Sequence, residues 1–445
     1  MRTKNMTFGN PVILILSFSI PLMLGNIFQQ LYILVDTFIV GNVIGVNALA
    51  AIGAVEWMIF LVIGGIQGIT HGFSIHMAQS FGNHNFEELI AYIACSLKLS
   101  AIVSVFLFVP GQLLVIPVLE IMHVPAEISA MASLYLRIIY AGIPITFLFN
   151  LSAAVLRAIG NSQVPFIAMI LSSITNIVLD IVAVVILKSG VGGAAFATVF
   201  SQFVAVVFCI KYLQKSNLNF FRIIRHISTD KKMSFRQLSI AIPMSLQNII
   251  TAVGGVVVQS MVNSFGVAFI ARYTAANKLY GLLEIPASSY GYTLSTYAGQ
   301  NIGKKQTRRI DEGLLTGCII GVLTAVFMSF IMLYGGRNIL AHFLPGNTEQ
   351  TENAITIGVK FLQILSMFFG LLYILYILRG CIQGLGNSVI PMLSSMIQLF
   401  MRILFALYVC KVLGRSAVFW GEIAAWTGAD LLLLSYYLFR RRNDF

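Results

Sequence analysis

The sequence predicts an all-α integral membrane protein of twelve transmembrane helices, built as two six-helix lobes related by a parallel pseudo-two-fold repeat. Three observations predict it. The 445 residues are 58% hydrophobic and only 10% charged, where a soluble domain carries roughly 25% charged residues. Apolar stretches long enough to span a bilayer, ~20 residues each, recur about twelve times along the chain. The second half also repeats the first weakly, at an offset that stays between 221 and 226 residues. Each half has an even number of spans, so both halves insert in the same direction, as parallel repeats in transporters do.

The spans fall at 12–40, 47–71, 90–116, 129–155, 164–187, 191–213, 237–262, 267–297, 312–334, 354–379, 389–411 and 417–439. The first is too long for a signal peptide and lacks a small-residue cleavage site, so it is expected to act as its own insertion signal. Lys and Arg set the orientation. With the amino terminus inside, eighteen fall in cytoplasmic segments, while the external segments hold only Lys188, Arg337, Lys411 and Arg415. Both termini are therefore expected in the cytoplasm of a cell membrane. The bias accounts for the net charge of +12 through anionic lipid headgroups, with no call for a nucleic-acid partner. The chain is expected to act as a monomer.

Internal matches carry the repeat. "SIPLMLGNI" (19–27) pairs with "AIPMSLQNI" (241–249), aligning Pro21 with Pro243. "AQSFG" (78–82) pairs with "GQNIG" (299–303), and "GNSQVP" (160–165) with "GNSVIP" (386–391). The lobes are then 1–213 and 237–445, joined by a basic cytoplasmic linker over 214–236. Its stretch "FFRIIRHI" (220–227) mixes apolar and cationic residues as a membrane-surface helix or a solvated linker would.

Taken in order, the spans hold a few polar residues that their surroundings do not explain. The first contains Pro21, which removes a backbone hydrogen bond and permits a kink. It also places Gln29, Tyr32 and Asp36 on one face, because residues three and four apart are helix neighbours. Glu56 lies in the second span. The fifth holds Asn176 and Asp180 one turn apart, and the sixth holds the hydroxyl of Thr198. A charged group near a bilayer centre costs at least ~2.5–3.5 kcal/mol, so such residues are kept for a reason. The repeat argues for function over packing, since Asp36 aligns with Val258, Asn176 with Arg402 and Asp180 with Ala406; the alternative is a hydrogen-bonded acid pair that acts as interhelical glue.

Two carboxylates close together in a low dielectric cannot both stay ionised, so one holds a proton or a cation sits between them. With the Asn176 carbonyl and the Thr198 hydroxyl, the pair also offers the oxygen ligands that Na⁺ takes. Residue chemistry leaves H⁺ and Na⁺ both open. In the second half, Glu284 in the eighth span is a candidate for attracting cations or for pairing with a base. Lys98, Arg137, Arg272, Lys360 and Arg402 are read as snorkelling or paired. The five cysteines and six histidines lack disulfide or metal-ligand spacing. No phosphate-binding loop is present, so no cofactor or direct ATP drive is expected.

These segments resemble the multidrug and toxic compound extrusion (MATE) family. The resemblance covers nearly the whole chain through "SIPLMLGNIFQQLYILVDTFIVG", "AQSFG", "LRAIGNSQVP", "SSITNIVLD", "GGAAFATVFSQ", "GQNIG" and "GLGNSVIP". It implies a secondary active exporter that exchanges organic cations or other amphipathic compounds for H⁺ or Na⁺ by alternating access. In the branch with an amino-lobe cation site, the resemblance assigns that site to Asp36, Asn176, Asp180 and Thr198. It extends the polar lining of the cavity to Gln29, Tyr32, Tyr135 and Asn150. The branch with acids in helices seven and ten of the second lobe finds no match here. A lipid-linked precursor flippase of the same superfamily is the alternative; it would need a cationic cavity for pyrophosphate, and few basic residues lie mid-span. An enzyme is not expected, because no catalytic cluster lies near an interface.

Overall fold

In the computed structural model, helices account for nearly all of the described residues, which are 4–215, 230–263, 265, 267–343, 359 and 361–444. Among these residues there is no β-strand. In lipid every backbone group must be satisfied within its own segment, and helices meet that demand. The first half runs α1 (Pro11–Ile39), a π-helical turn (Val40–Ile44), α2 (Val46–Gly82), α3 (Phe86–Ile121), α4 (Ala126–Ala141) and α5 (Ile143–Ala158). It closes with α6 (Gln163–Asp180), a second π-helical segment (Ile181–Ile186) and α7 (Gly190–Gln214). The second half runs α8 (Lys231–Asn263), α9 (Val267–Gly303), α10 (Thr307–Phe343), α11 (Phe361–Met367) and α12 (Phe369–Gly384). It ends with α13 (Val389–Leu404), a π-helical turn (Phe405–Val409) and, after a short helical turn, α14 (Ala417–Asp444).

Nine of these helices are long and apolar enough to cross a membrane, and two bent pairs bring the number to eleven. The helix α9, 37 residues long, supplies the twelfth segment of spanning length. It is less apolar because Arg272, Lys278 and Glu284 lie along it with several Tyr and Ser. The side chains of Arg272 and Lys278 are outside the described set, as are Lys360 and the basic stretch 220–227. Large apolar side chains face outwards on the helices, for example Phe106 and Leu113 at 72% exposure and Phe327 at 60%. Apolar exposure on that scale fits lipid and not water. The chain is a multi-pass, all-α membrane protein.

The repeat is visible in local geometry. The pair α4/α5 bends by 47° and α11/α12 by 55°. In the first, Pro144 lacks the N–H that would continue the helix; its counterpart in the second is Gly370. The "GNS" turns also match. Gly160 and Gly386 adopt φ of 79° and 89°, a conformation that glycine takes without steric cost. Next to them, Asn161 Oδ1 accepts from Val164 N, and Asn387 Oδ1 accepts from Ile390 N, both at 3.1 Å. Each asparagine thereby caps the following helix. Their amides donate to Tyr212 and Tyr436 hydroxyls at 3.0 and 2.8 Å.

The chain divides into two compact units: Ile20–Ser245 with Met1–Asn5, and Leu246–Phe445 with Met6–Ser19. The helix α1 therefore changes unit between Ser19 and Ile20, beside Pro21, and α8 does so two residues after Pro243. In the second unit, Met6 N donates to Gln300 Oε1 at 2.8 Å, and Asn301 Nδ2 donates to Met6 O at 3.1 Å. In the first unit, Gln237 Nε2 on α8 donates to Ser96 Oγ at 2.8 Å. The start of α8 precedes the expected position 237 because Asp230 Oδ1 accepts from Lys232 N at 2.8 Å and nucleates the first turn.

Candidate functional site

Three helices of the first unit present the residues singled out by sequence. The α1 face carries Gln29, Tyr32 and Asp36, with the Tyr32 hydroxyl against the Gln29 side chain. On α6, Asn176 is 1% exposed and Asp180 fully buried. The two carboxyl groups of Asp36 and Asp180 lie side by side across the helices. From α4, buried Tyr135 reaches the same cluster and lies within electrostatic range of Asp36, Asp180, Tyr32 and Glu56. Glu56 itself is exposed.

This cluster gathers buried polar atoms that lack hydrogen-bond partners; Asp430 on α14 is the other acid among the described residues with both carboxylate oxygens in that state. Asp36 Oδ1, both Asp180 oxygens and both polar atoms of the Asn176 amide are buried without a partner. Buried polar groups are paired in the large majority of cases, and leaving one unpaired costs about 1–3 kcal/mol. Three adjacent residues carry five of the thirteen such side-chain atoms among the described residues. A proton shared between the carboxyls would satisfy their oxygens, and a small cation would satisfy all four oxygens, leaving the Asn176 Nδ2 donor aside. Hence the donor set fits a cation.

Thr198 is half-buried on α7, which packs along α6. Its hydroxyl donates to Ala194 O at 3.1 Å, which leaves its oxygen lone pairs available. Asn150 is engaged elsewhere: its Nδ2 donates to Thr146 O at 2.8 Å, while the Thr146 hydroxyl donates to Gln202 Oε1 at 2.7 Å. Glu284 belongs to the other unit, where it accepts from the Tyr376 hydroxyl at 2.5 Å. Its hydrogen-bond partner is thus a phenol and not a base.

Sequence reasoning missed one feature and left another, the pairing expected of Arg402, without its partner. Both carboxylate-bearing helices turn π-helical within a few residues of the acid, Asp36 before Val40–Ile44 and Asp180 directly before Ile181–Ile186, and these π segments pack together. π-Bulges occur frequently at functional sites, but no residue type announces them here. The second unit also holds a buried charged network. Arg402 Nη2 donates to Glu422 Oε2 at 2.9 Å, and Arg379 donates to Ser394 Oγ and Gln398 Oε1 at 2.9 and 2.8 Å. The alignment of Arg402 with Asn176 was the available signal.

The chain is similar to known proteins along nearly its whole length. A family model described as MatE matches residues 21–182 and 243–408, one match to each half. The chain is 28% identical over 432 residues to "Probable multidrug resistance protein YoeA" of Bacillus subtilis (strain 168), covering 95% of this chain and 92% of that one. It is 24% identical to "Multidrug export protein MepA" of Staphylococcus haemolyticus, with 96% and 93% covered. Among solved structures, a MATE in complex with MaL6 superposes with a TM-score of 0.89 at 22% identity, covering 99% and 98%. A MOP superfamily transporter from Pyrococcus furiosus gives the same TM-score at 22% identity, with 98% of each chain covered. Two matched halves, one in each six-helix repeat, establish that the chain belongs to the MatE family.

Proposed function

We propose that this protein is a secondary active multidrug efflux antiporter of the cell membrane. It exports small organic cations or other amphipathic compounds in exchange for H⁺ or Na⁺ by alternating access. The observation that carries the proposal is the cluster of unpartnered buried atoms on Asp36, Asn176 and Asp180. Their repeat counterparts Val258, Arg402 and Ala406 contain no carboxylate.

In this reading the cation binds the carboxyl pair with Asn176 and Thr198, and removes the electrostatic penalty that two like charges impose on each other. That gain biases α1 about Pro21, where the helix passes between compact units. Gln29, Tyr32 and Tyr135 line the same site, Asn150 extends it, and Glu284 attracts cationic substrate from the second unit. The coupling ion is the transported counter-substrate, and no resident cofactor is required. Relatives named for multidrug resistance and export support the efflux direction. The flippase reading is less favoured, because the buried guanidinium groups of Arg379 and Arg402 are already engaged by the protein's own side chains.

The test is uptake of a fluorescent cationic dye into proteoliposomes under imposed pH and Na⁺ gradients, applied separately. A counter-ion gradient equivalent to 100 mV supplies ~2.3 kcal/mol per ion exchanged, equivalent to roughly fifty-fold accumulation of substrate. Asp36→Asn should abolish gradient-driven accumulation while leaving dye binding measurable. Unchanged accumulation by Asp36→Asn would remove the coupling assignment.

A further inference from the structure

The repeat allows each unit to be compared with the other, residue by residue. Gln29 aligns with Thr251, Tyr32 with Gly254, Asp36 with Val258 and Asn176 with Arg402. In the second unit three of these counterparts meet. Arg402 reaches from α13 to α8, where its Nη1 approaches the Thr251 carbonyl at 3.4 Å. Its guanidinium fills the space beside Gly254, where a Cβ would stand 2.5 Å from Nη1 and 3.2 Å from Cδ. On the other side, Nη2 donates to Glu422 Oε2 at 2.9 Å, and both side chains are only 11% exposed. Glu422 lies on α14, which stands in the repeat where α7, the helix of Thr198, stands in the first half.

The two units thus solve the same place differently. The first gathers an amide and two carboxyls whose buried atoms lack partners. The second delivers a covalently attached positive group to the matching helices and gives it a carboxylate. Gly254 makes room for it, since a tyrosine there, as at position 32, would take the guanidinium's space. Guanidinium stays charged under all physiological conditions, so this cation never leaves.

We infer that Arg402 is a tethered cation, occupying in the second unit the place that a mobile H⁺ or Na⁺ takes in the first, so that only the first unit answers to the gradient. This inference rests on the coupling role of Asp36 and Asp180 proposed above. It makes Arg402 and Glu422 positioning residues that hold α8, α13 and α14 in one arrangement. A purely structural ion pair makes a different forecast: the orphaned Glu422 would also take a proton, but it would bind no Na⁺ and would leave the number of cations exchanged per substrate unchanged.

The experiment uses the full-length protein with Asp36→Asn and Asp180→Asn already in place, so that failure of the first-unit reading does not affect the outcome. Binding of ²²Na⁺ and proton uptake after a pH step are measured separately on purified protein. With Arg402 present, little ²²Na⁺ is expected, and proton uptake is read in an Asp430→Asn background, because that buried carboxyl also lacks partners. Arg402→Gln should create a site for roughly one Na⁺ or one proton per chain. Adding Glu422→Gln should remove it, and Arg402→Lys should not create it. Glu284, Tyr273 and Tyr280 on α9 and Arg379 on α12 face this group, so Glu284→Gln is included to assign any proton to Glu422. In the protein with Asp36 and Asp180 restored, Arg402→Gln should raise the number of cations exchanged per substrate, read from the reversal potential, and Arg402→Gln with Glu422→Gln should restore the original number. Should Arg402→Gln fail to fold, Arg402→Met carries the same measurements. A folded Arg402→Gln variant that binds no Na⁺ and whose exchange stoichiometry matches that of its Glu422→Gln partner overturns the inference, whatever proton it takes up.

Discussion

At the scale of residues, chemistry that sequence could flag is chemistry that looks costly where it stands. Asp36, Asn176 and Asp180 stood out because nothing apolar around them explains them, and the structure puts the two carboxyls side by side. Their roles divide under the proposed function. Asp180→Asn should match Asp36→Asn in losing gradient-driven transport, because either change breaks the pair. Asn176→Ala should keep the charge and lose one ligand, weakening cation affinity by about tenfold, a loss of ~1.4 kcal/mol that suits a single hydrogen-bonding group. The cation concentration giving half-maximal efflux measures it. Glu284→Gln should leave that concentration unchanged and raise the KM for a cationic dye. Equal shifts in both quantities would place Glu284 inside the coupling site. The Arg402–Glu422 pair was illegible as a pair, since twenty residues and a change of helix separate its members.

At the scale of elements, helix positions followed from hydropathy, while their contacts did not. Pro144 gives the bend between α4 and α5 away, but the matching bend at Phe368 has no proline to announce it. Close packing of α2 on α8 is the clearest stability test. A Cβ on Gly68 would stand 2.5 Å from Ser245 Cα and 2.6 Å from Met244 O. Both are backbone atoms that cannot rotate away, and Gly68 with Gly72 forms the small-xxx-small spacing that lets membrane helices approach closely. Gly68→Ala should therefore destabilise the protein by about 1–3 kcal/mol, the usual cost of overpacking, seen as a lower Tm in detergent. Gly53→Ala, where no atom lies within 4 Å of the added Cβ, is the control and should not lower it. Pro21→Ala should leave Tm near the original value and slow transport, because it restores a backbone donor where α1 passes between units.

At the scale of the whole molecule, a twelvefold recurrence of apolar runs was enough to predict the architecture, because the bilayer admits so few alternatives. What sequence did not disclose is that Met6–Ser19 packs within the second unit and α8 as far as Ser245 within the first. Apolar periodicity says that a face is buried, not which bundle buries it. The charge bias predicts sidedness: a cysteine placed at Lys304 should label only from the cytoplasmic side, and one at Lys188 only from outside. Labelling in the opposite sense would reverse the orientation on which the proposed exchange of internal substrate for external cation depends. The central claim, that the first-unit carboxyls hold the coupling ion, is tested most directly by ion release. Purified protein is loaded with H⁺ or ²²Na⁺ and then given a cationic dye. Release that accompanies dye binding in the original protein and vanishes in Asp36→Asn with Asp180→Asn is the predicted result, while undiminished release from that variant would contradict it.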